Sequence, residues 1–389
     1  MFSKRLHWDL NPNRVSELLR AKRAAGQNIL DLTESNPTAA GLAYPAGEIL
    51  DALADSRSLS YEPMPAGLPH AREAIADLHG VEAERIFITT STSESYSYLF
   101  KLLADPGDEV LVPRPSYPLF EFLATLESLV VRQYSLVYHE GWFIDFEALR
   151  AAITPRTRAI VLVNPNNPTG SFLKKDELPQ LIELCALHQL AIISDEVFSD
   201  YRFGYNPSLV PTLSGVAEVP VFALSGFSKV LGLPQMKLGW MIVGGPEEQK
   251  HVAFERLELI ADTYLSVATP IQHAAPRLLS LREAFQQQIR ERLRRNLDLL
   301  RSRAEQSSCC VLRVEGGWYA TLSVPRTGSE EDWTLELLDR DGILVQPGFF
   351  FDFESEAFLI VSLLTREAVF AKGIETLIAR ISVQGLSKG

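Results

Sequence analysis

Short, wholly apolar runs alternate with helical patterns through the middle of this chain, and few folds accommodate that arrangement. Arg85–Thr90 (RIFITT) leads into a helix-like Ser93–Ala104, and Glu109–Pro113 (EVLVP) into Leu119–Leu126. Ala159–Val163 (AIVLV) is followed, after a turn rich in Pro and Asn, by Lys175–His188. Ala191–Ser194, Val221–Leu224 and Trp240–Val243 continue the series. Strands that are apolar throughout are buried on both faces, which indicates a mainly parallel sheet covered by helices. Ligands of such sheets bind in the crevice beyond the carboxyl ends of the strands. Chemistry is therefore expected in the loops that follow these runs.

The pattern changes after about residue 280. A long amphipathic stretch, Glu283–Gln306, carries an Arg-rich face (Arg290, Arg292, Arg294, Arg295) that reads as a solvated helix surface. Cys310–Val314, Tyr319–Val324, Ile343–Gln346 and Leu359–Leu363 then read as strands around one helix, Trp333–Asp339, and Arg366–Arg380 as a final helix. This is a smaller α+β unit. The division expected is an N-terminal segment 1–45 packing with the small domain, a large α/β domain 46–280 and a small domain 281–389. The first 40 or so residues show no sheet pattern.

Composition removes several function classes. The 389 residues carry 37 Lys+Arg against 49 Asp+Glu, a formal charge of −12, which argues against a general nucleic-acid binder. No uninterrupted apolar run approaches the roughly 20 residues that span a bilayer, and Met1–Pro12 has no apolar core of a signal peptide. Cys185, Cys309 and Cys310 make no disulfide framework, as expected of a reduced, cytoplasmic protein. There is no G-x-G-x-x-G after a strand, no G-x-x-x-x-G-K-[ST] and no G-x-S-x-G. The seven histidines are scattered without metal-ligand spacing, so no metal site is expected.

Four polar segments remain, each beside an apolar run: Thr90–Glu94 (TSTSE), Asn164–Gly170 (NPNNPTG), Ser194–Val197 (SDEV) and Ser225–Lys229 (SGFSK). Taken singly they read as a turn, a helix cap or a surface lysine. In this order, from Asn36-Pro37 to Pro347–Phe351, they resemble the class I/II aminotransferases, the fold-type I enzymes of pyridoxal 5′-phosphate (PLP). The resemblance implies a mainly parallel seven-stranded sheet in a large domain plus a smaller α+β domain. It also implies amino-group transfer from an amino acid to a 2-oxo acid, by a ping-pong mechanism through a Lys229 Schiff base. Lysine suits that place because its primary amine can both join the cofactor aldehyde and, once freed, carry a proton. Asp195 would keep the cofactor's ring nitrogen protonated, since a carboxylate about 4 Å away is worth roughly 4 kcal/mol at an effective dielectric of 20. Asn167, next to a bond expected to be cis (Asn167-Pro168), matches the asparagine that donates to the cofactor's 3′-oxygen. Tyr117 matches the aromatic that stacks on the ring. Thr92 and Ser93, at the N-terminus of a helix, match the phosphate cup, with Ser228 adding a hydroxyl. Lys237 stands eight residues past Lys229, where the family usually has arginine. Tyr61 matches a tyrosine that reaches the neighbouring subunit's phosphate, which implies a homodimer. Asn36 and Trp318 match positions near the substrate.

Three departures stand out. Phe198 replaces a tyrosine and cannot donate to the cofactor's 3′-oxygen. Ile360 occupies the position of the family's carboxylate-binding arginine, which leaves Arg114, Arg202 and Arg366 as replacements, Arg366 foremost. Ser91-Thr92-Ser93 replaces a glycine-bearing cup. Two other classes therefore stay open: another PLP enzyme of the same fold, such as a C–S lyase, decarboxylase or racemase, and a non-catalytic PLP-binding sensor. An acidic chain whose PLP-like pattern begins almost at residue 1 argues against the sensor.

Overall fold

A computed structural model describes residues 2–305 and 307–386. The outer limits 1 and 389 of the expected domains, and the helix end expected at Gln306, lie outside the described residues. The strands in chain order are β1 (Leu30–Asp31), β2 (Ile86–Thr89), β3 (Glu109–Arg114), β4 (Val130–Tyr138), β5 (Trp142–Ile144), β6 (Thr157–Val163), β7 (Ala191–Asp195), β8 (Val221–Gly226), β9 (Gly239–Gly244), β10 (Cys310–Val311), β11 (Tyr319–Ser323), β12 (Ile343–Leu344), β13 (Gln346–Pro347) and β14 (Phe358–Ser362).

β2 to β9 form one sheet in the order β2-β9-β8-β7-β6-β3-β4-β5. The pairs from β8 through β7, β6 and β3 to β4 are parallel, and only β9 and the short β5 run against their neighbours. Among the described residues the sheet has eight strands, where the resemblance implied seven. The extra one, β5, is three residues long and closes a hairpin on β4. β4 itself leaves much of its length exposed, so its sequence lacks the unbroken apolar run that marks the central strands.

β2, β6, β7, β8 and β9 are buried along almost their whole length. Helices cover both faces. Phe87, Phe222, Met241 and Val243 pack toward Tyr96, Leu99 and Phe100 of the helix Thr92–Leu103, whereas Ile86, Ile88, Ala223 and Trp240 pack on the other side against Ile75 and Leu278. Removing these side chains from water, at about 25 cal/mol per Å² of apolar surface, is the main force that fixes the strand order.

The smaller sheet runs β10-β11-β14-β13, all antiparallel. One face, with Ala320, Leu322, Leu359 and Val361, packs on the helices Arg282–Ala304 and Glu367–Leu386. The stretch read as one strand, Ile343–Gln346, divides at Val345. β12 pairs in parallel with β1, and β13 pairs with β14. The N-terminal segment therefore does contribute a strand, two residues long, too short to leave a periodic signal. The helix expected at Trp333 starts earlier, at Glu330, because Ser329 and Asp332 cap each other's backbone N–H groups.

Candidate functional site

The parallel strands deliver their polar ends to one edge of the sheet. Asn164 follows β6, Asp195 ends β7, and Gly226 ends β8 and starts the short helix Phe227–Val230 that carries Lys229. β9 runs the other way, so its first residue, Gly239, lies at the same edge, paired with Thr89 and Gly226. A Cβ on Gly239 would sit 3.0 Å from the Ser91 backbone. Glycine is what lets the N-cap of the helix Thr92–Leu103 close against this edge.

A cavity of about 300 Å³ lies there, lined among others by Thr92, Ser93, Tyr117, Asn167, Asp195, Ser228, Lys229 and Lys237. At one end are the first turn of the helix Thr92–Leu103, whose N-terminal N–H groups lack helical partners, and the hydroxyls of Ser91, Thr92, Ser93 and Ser228 with Lys237. Together they suit a phosphate dianion. The helix begins at Thr92, with Ser91 as its N-cap accepting from the Glu94 N–H.

Asn167 is the member of NPNNPTG that reaches the cavity. The other two asparagines hold the loop. Asn164 bonds to Val210 and Leu173, and Asn166 accepts from Thr169 and donates to Ser116. Gly170 has φ +70°, and a Cβ there would be 2.5 Å from the Gly316 carbonyl. The Asn167-Pro168 bond is cis, as are Arg114-Pro115 and Asn164-Pro165. Asn167 is buried, and among the described residues its Oδ1 has no hydrogen-bond partner.

Asp195 is buried at the floor. Its Oδ1 accepts from the Val197 N–H and its Oδ2 from the Tyr96 hydroxyl at 3.3 Å. Loss of water pushes its carboxyl up to about 6, against those hydrogen bonds and the nearby Lys229 charge. Lys229 Nζ lies 4.7 Å from the ring centre of Trp318 and 5.4 Å from that of Phe198. Burial pushes this amine down to about 8, while Asp195 pulls the other way. The two rings favour the ammonium form, yet they bring no hydrogen-bond acceptor, so desolvation prevails. The chain without cofactor is therefore expected to show acylation of Lys229, followed by peptide mass mapping, with a midpoint near pH 8. An exposed lysine titrates near 10.4, so at pH 8 the neutral fraction of Lys229 should be about a hundredfold larger than that of an exposed lysine. A midpoint above 10 would contradict the burial.

Some expected residues lie elsewhere. Tyr61 is 79% exposed in a separate groove with Met64, Leu265 and Gln272. Asn36 is exposed and caps Thr38, while its neighbour Ser35 lines the cavity and bonds to the Tyr319 hydroxyl. Trp318 is fully buried and reaches Lys229 from behind. None of the three arginines lines the cavity. Arg366 donates to the Ala39 carbonyl at 3.0 Å, Arg114 pairs with Glu354, and Arg202 lies over the Tyr205 ring in another groove. Each instead has its own acceptor or ring. Ile360 is fully buried in the middle of β14. Tyr96 and Tyr319 went unnoticed in the sequence. Tyr96 stands four residues after Thr92 and so shares its helix face, which was the available signal.

A family profile described as aminotransferase class I and II matches residues 27–375. Glutamate-pyruvate aminotransferase AlaA of Escherichia coli (strain K12) is 33% identical over 66% of this chain and 65% of its own length. An S-alkyl-thiohydroximate lyase of Arabidopsis thaliana is 32% identical over 68% of this chain and 58% of its own. The chain thus spans less than two thirds of these two relatives. Among solved structures, an alanine aminotransferase from Pyrococcus furiosus superposes with a TM-score of 0.88 over 98% of this chain and 99% of that one, at 24% identity, a likeness of fold.

Proposed function

The chain belongs to the family of class I and II aminotransferases, and from that premise we propose that it transfers an amino group from an amino donor to an oxo acceptor with PLP as cofactor. The pair the family implies is an amino acid and a 2-oxo acid. One observation carries the reading: Lys229, Asp195 and Asn167, from three neighbouring strand ends, line one cavity whose far end is a hydroxyl-rich helix N-terminus beside Lys237.

The residues present fit the cofactor. Thr92, Ser93, Ser228 and Lys237 would hold its phosphate, Tyr117 would stack on its ring, Asp195 would face its ring nitrogen, and Asn167 would donate to its ring oxygen. When bound, PLP supplies an aldehyde and an electron-withdrawing ring. The rest is the protein's own work. Asp195, out of water, holds a positive charge opposite it with little screening. Lys229 Nζ, with a lowered proton affinity, exists in both protonation states near neutral pH and can take and return a proton. Phe198 and Trp318 keep water from its flank. Tyr61 and its exposed neighbours Leu59 and Met64 suit a homodimer in which Tyr61 serves the partner's phosphate. The domain division 46–280 and 281–389, with 1–45 joining the smaller part, belongs to the same proposal. Among the described residues no helix is long and apolar enough to cross a membrane, and a cytoplasmic site of action is part of the reading.

The test is reconstitution. Protein loaded with PLP should turn yellow. Adding an amino donor should bleach that band with release of one equivalent of carbonyl product, and an oxo acceptor should restore it. A protein that neither retains PLP nor changes colour would overturn the reading. The lyase relative favours a second reading, elimination from the donor. Ammonia release without need of an oxo acceptor would select it. A further result is expected at Phe198. Phe198→Tyr adds a donor beside Lys229, and a hydrogen bond to a charged acceptor is worth about 1.5–3 kcal/mol. The pKa read from the visible absorbance of loaded protein should then fall by about one to two units. An unchanged titration would show that position 198 does not reach the cofactor oxygen.

A further inference from the structure

Three residues of the site stand on three separate segments: Asn167 follows β6, Phe198 follows β7, and Trp318 immediately precedes β11. One short stretch, Glu315–Gly317, ties these segments together. The N–H groups of Glu315 and Gly316 both donate to the Gly170 carbonyl, at 3.2 and 2.9 Å, on the turn that carries Asn167. The Gly317 N–H donates to the Tyr201 carbonyl at 2.9 Å, and the Phe203 N–H to the Glu315 carbonyl at 2.8 Å. Tyr201 donates its N–H to the Phe198 carbonyl and its hydroxyl to the Lys229 carbonyl. The approach is close: a Cβ on Gly316 would sit 2.8 Å from the Tyr201 carbonyl oxygen and 2.7 Å from the Phe172 ring.

A buried ion pair sits at this junction. Lys174, beyond the same turn, places Nζ 2.8 Å from Glu315 Oε2, and both side chains are buried. That oxygen also accepts from the Phe172 N–H at 3.0 Å, and Lys174 donates to the carbonyls of Trp142 and Phe172. Arg313 reaches the other carboxylate oxygen at 3.8 Å. Neither Lys174 nor Glu315 is among the residues that line the cavity. Taking two charges out of water costs about what their attraction returns, so such a pair adds little to stability. What it supplies is register. A carboxylate that must meet one ammonium and one N–H together fixes how the Asn167 turn lies against the residues leading to Trp318.

We propose that Glu315, through its pair with Lys174, is a positioning residue that holds Asn167 and Trp318 in register about Lys229. The inference rests on the reading that these residues serve one cofactor. Loss of the pair acts through misplacement: Trp318 withdraws from Nζ and lets water reach it, and Asn167 loses its aim at the cofactor's ring oxygen.

The test is the double variant Lys174→Met, Glu315→Gln. It removes both charges at once and leaves an amide oxygen for the Phe172 N–H, so the melting temperature should change little. In the chain without cofactor, the acylation midpoint of Lys229 should rise from near pH 8 by at least about one unit, toward that of an exposed lysine. In PLP-loaded protein the pKa read from the visible absorbance should rise by about one unit, because a hydrogen bond to the charged form is lost, and turnover should fall about tenfold to a hundredfold. Leu338→Ala opens a cavity in a separate core cluster. It should lower the melting temperature and leave both titrations unmoved. If the double variant does not fold, Lys174→Met alone decides, since an unpaired Glu315 can take up a proton and stay neutral. Either titration staying within about half a unit of the unaltered protein's, or an equal rise in Leu338→Ala, overturns the proposal. Acylation needs no cofactor and no donor: a raised midpoint in protein whose colour no donor bleaches would uphold the junction's hold on Trp318 and overturn amino transfer instead.

Discussion

Lys229→Ala should lower the turnover rate at least about 10⁴-fold, the upper range for loss of one positioned proton-transfer group. It should also abolish covalent retention of the cofactor after borohydride reduction and denaturation. The two losses have one cause. Among the described residues, Nζ is the amine that the structure holds beside Asp195, Phe198 and Trp318. Lys237, the other cation that lines the cavity, caps the separate turn Pro234–Met236. Folding should survive, because the amine is held against desolvation and its removal relieves a cost. An unchanged or raised melting temperature would separate the catalytic loss from damage. Lys229→Arg is the stricter control: it keeps a positive charge and loses the primary amine. Rates for Arg and Ala within tenfold of each other are expected, and a recovery by Arg of more than a hundredfold would show that charge, not nucleophilic nitrogen, is what position 229 supplies.

The central sheet and its polar edge were legible because both rest on local patterns. Val221–Leu224 and Ala191–Ile193 are apolar on both faces, and only a strand buried on both faces tolerates that. The polar residues that break those runs, Asp195 and Ser225 to Lys229, lie where the apolar demand ends, so composition alone marks the edge. What the sequence hid depends on contacts between distant segments. β4 and β5 are edge strands with exposed faces, and their residues need no apolar continuity. Leu30–Asp31 pairs with Ile343–Leu344 across more than 300 positions. Closeness in sequence to the altered strand singles out Arg366, whereas its guanidinium turns to the Ala39 carbonyl beside the tight Gly41 turn. Trp318, expected near the substrate, is fully buried, with Lys229 Nζ over its ring and Tyr201 against it in a T-shaped contact.

Asp195→Asn should cost about 10³-fold in turnover, with weaker cofactor retention. The substitution is nearly isosteric, and asparagine's Oδ1 can still accept from the Val197 N–H or the Tyr96 hydroxyl. What it removes is the charge. A carboxylate about 4 Å from a ring nitrogen is worth roughly 4 kcal/mol at an effective dielectric of 20, and each 1.36 kcal/mol of barrier is tenfold. The pH dependence follows with a definite sign. Burial raises the Asp195 carboxyl to about 6 in the chain without cofactor, so below that pH the acid is protonated before the cofactor arrives. Affinity for PLP should fall as pH drops through 6, and Asp195→Asn should flatten that limb. Tyr96→Phe should move the limb upward instead, because it deletes a hydrogen bond to the charged form. The cost in turnover should be smaller, about tenfold to a hundredfold. Equal rates for Asp195→Asn and the unaltered protein, measured at saturating PLP, would mean that the ring nitrogen is not held there and that the floor of the cavity serves packing alone.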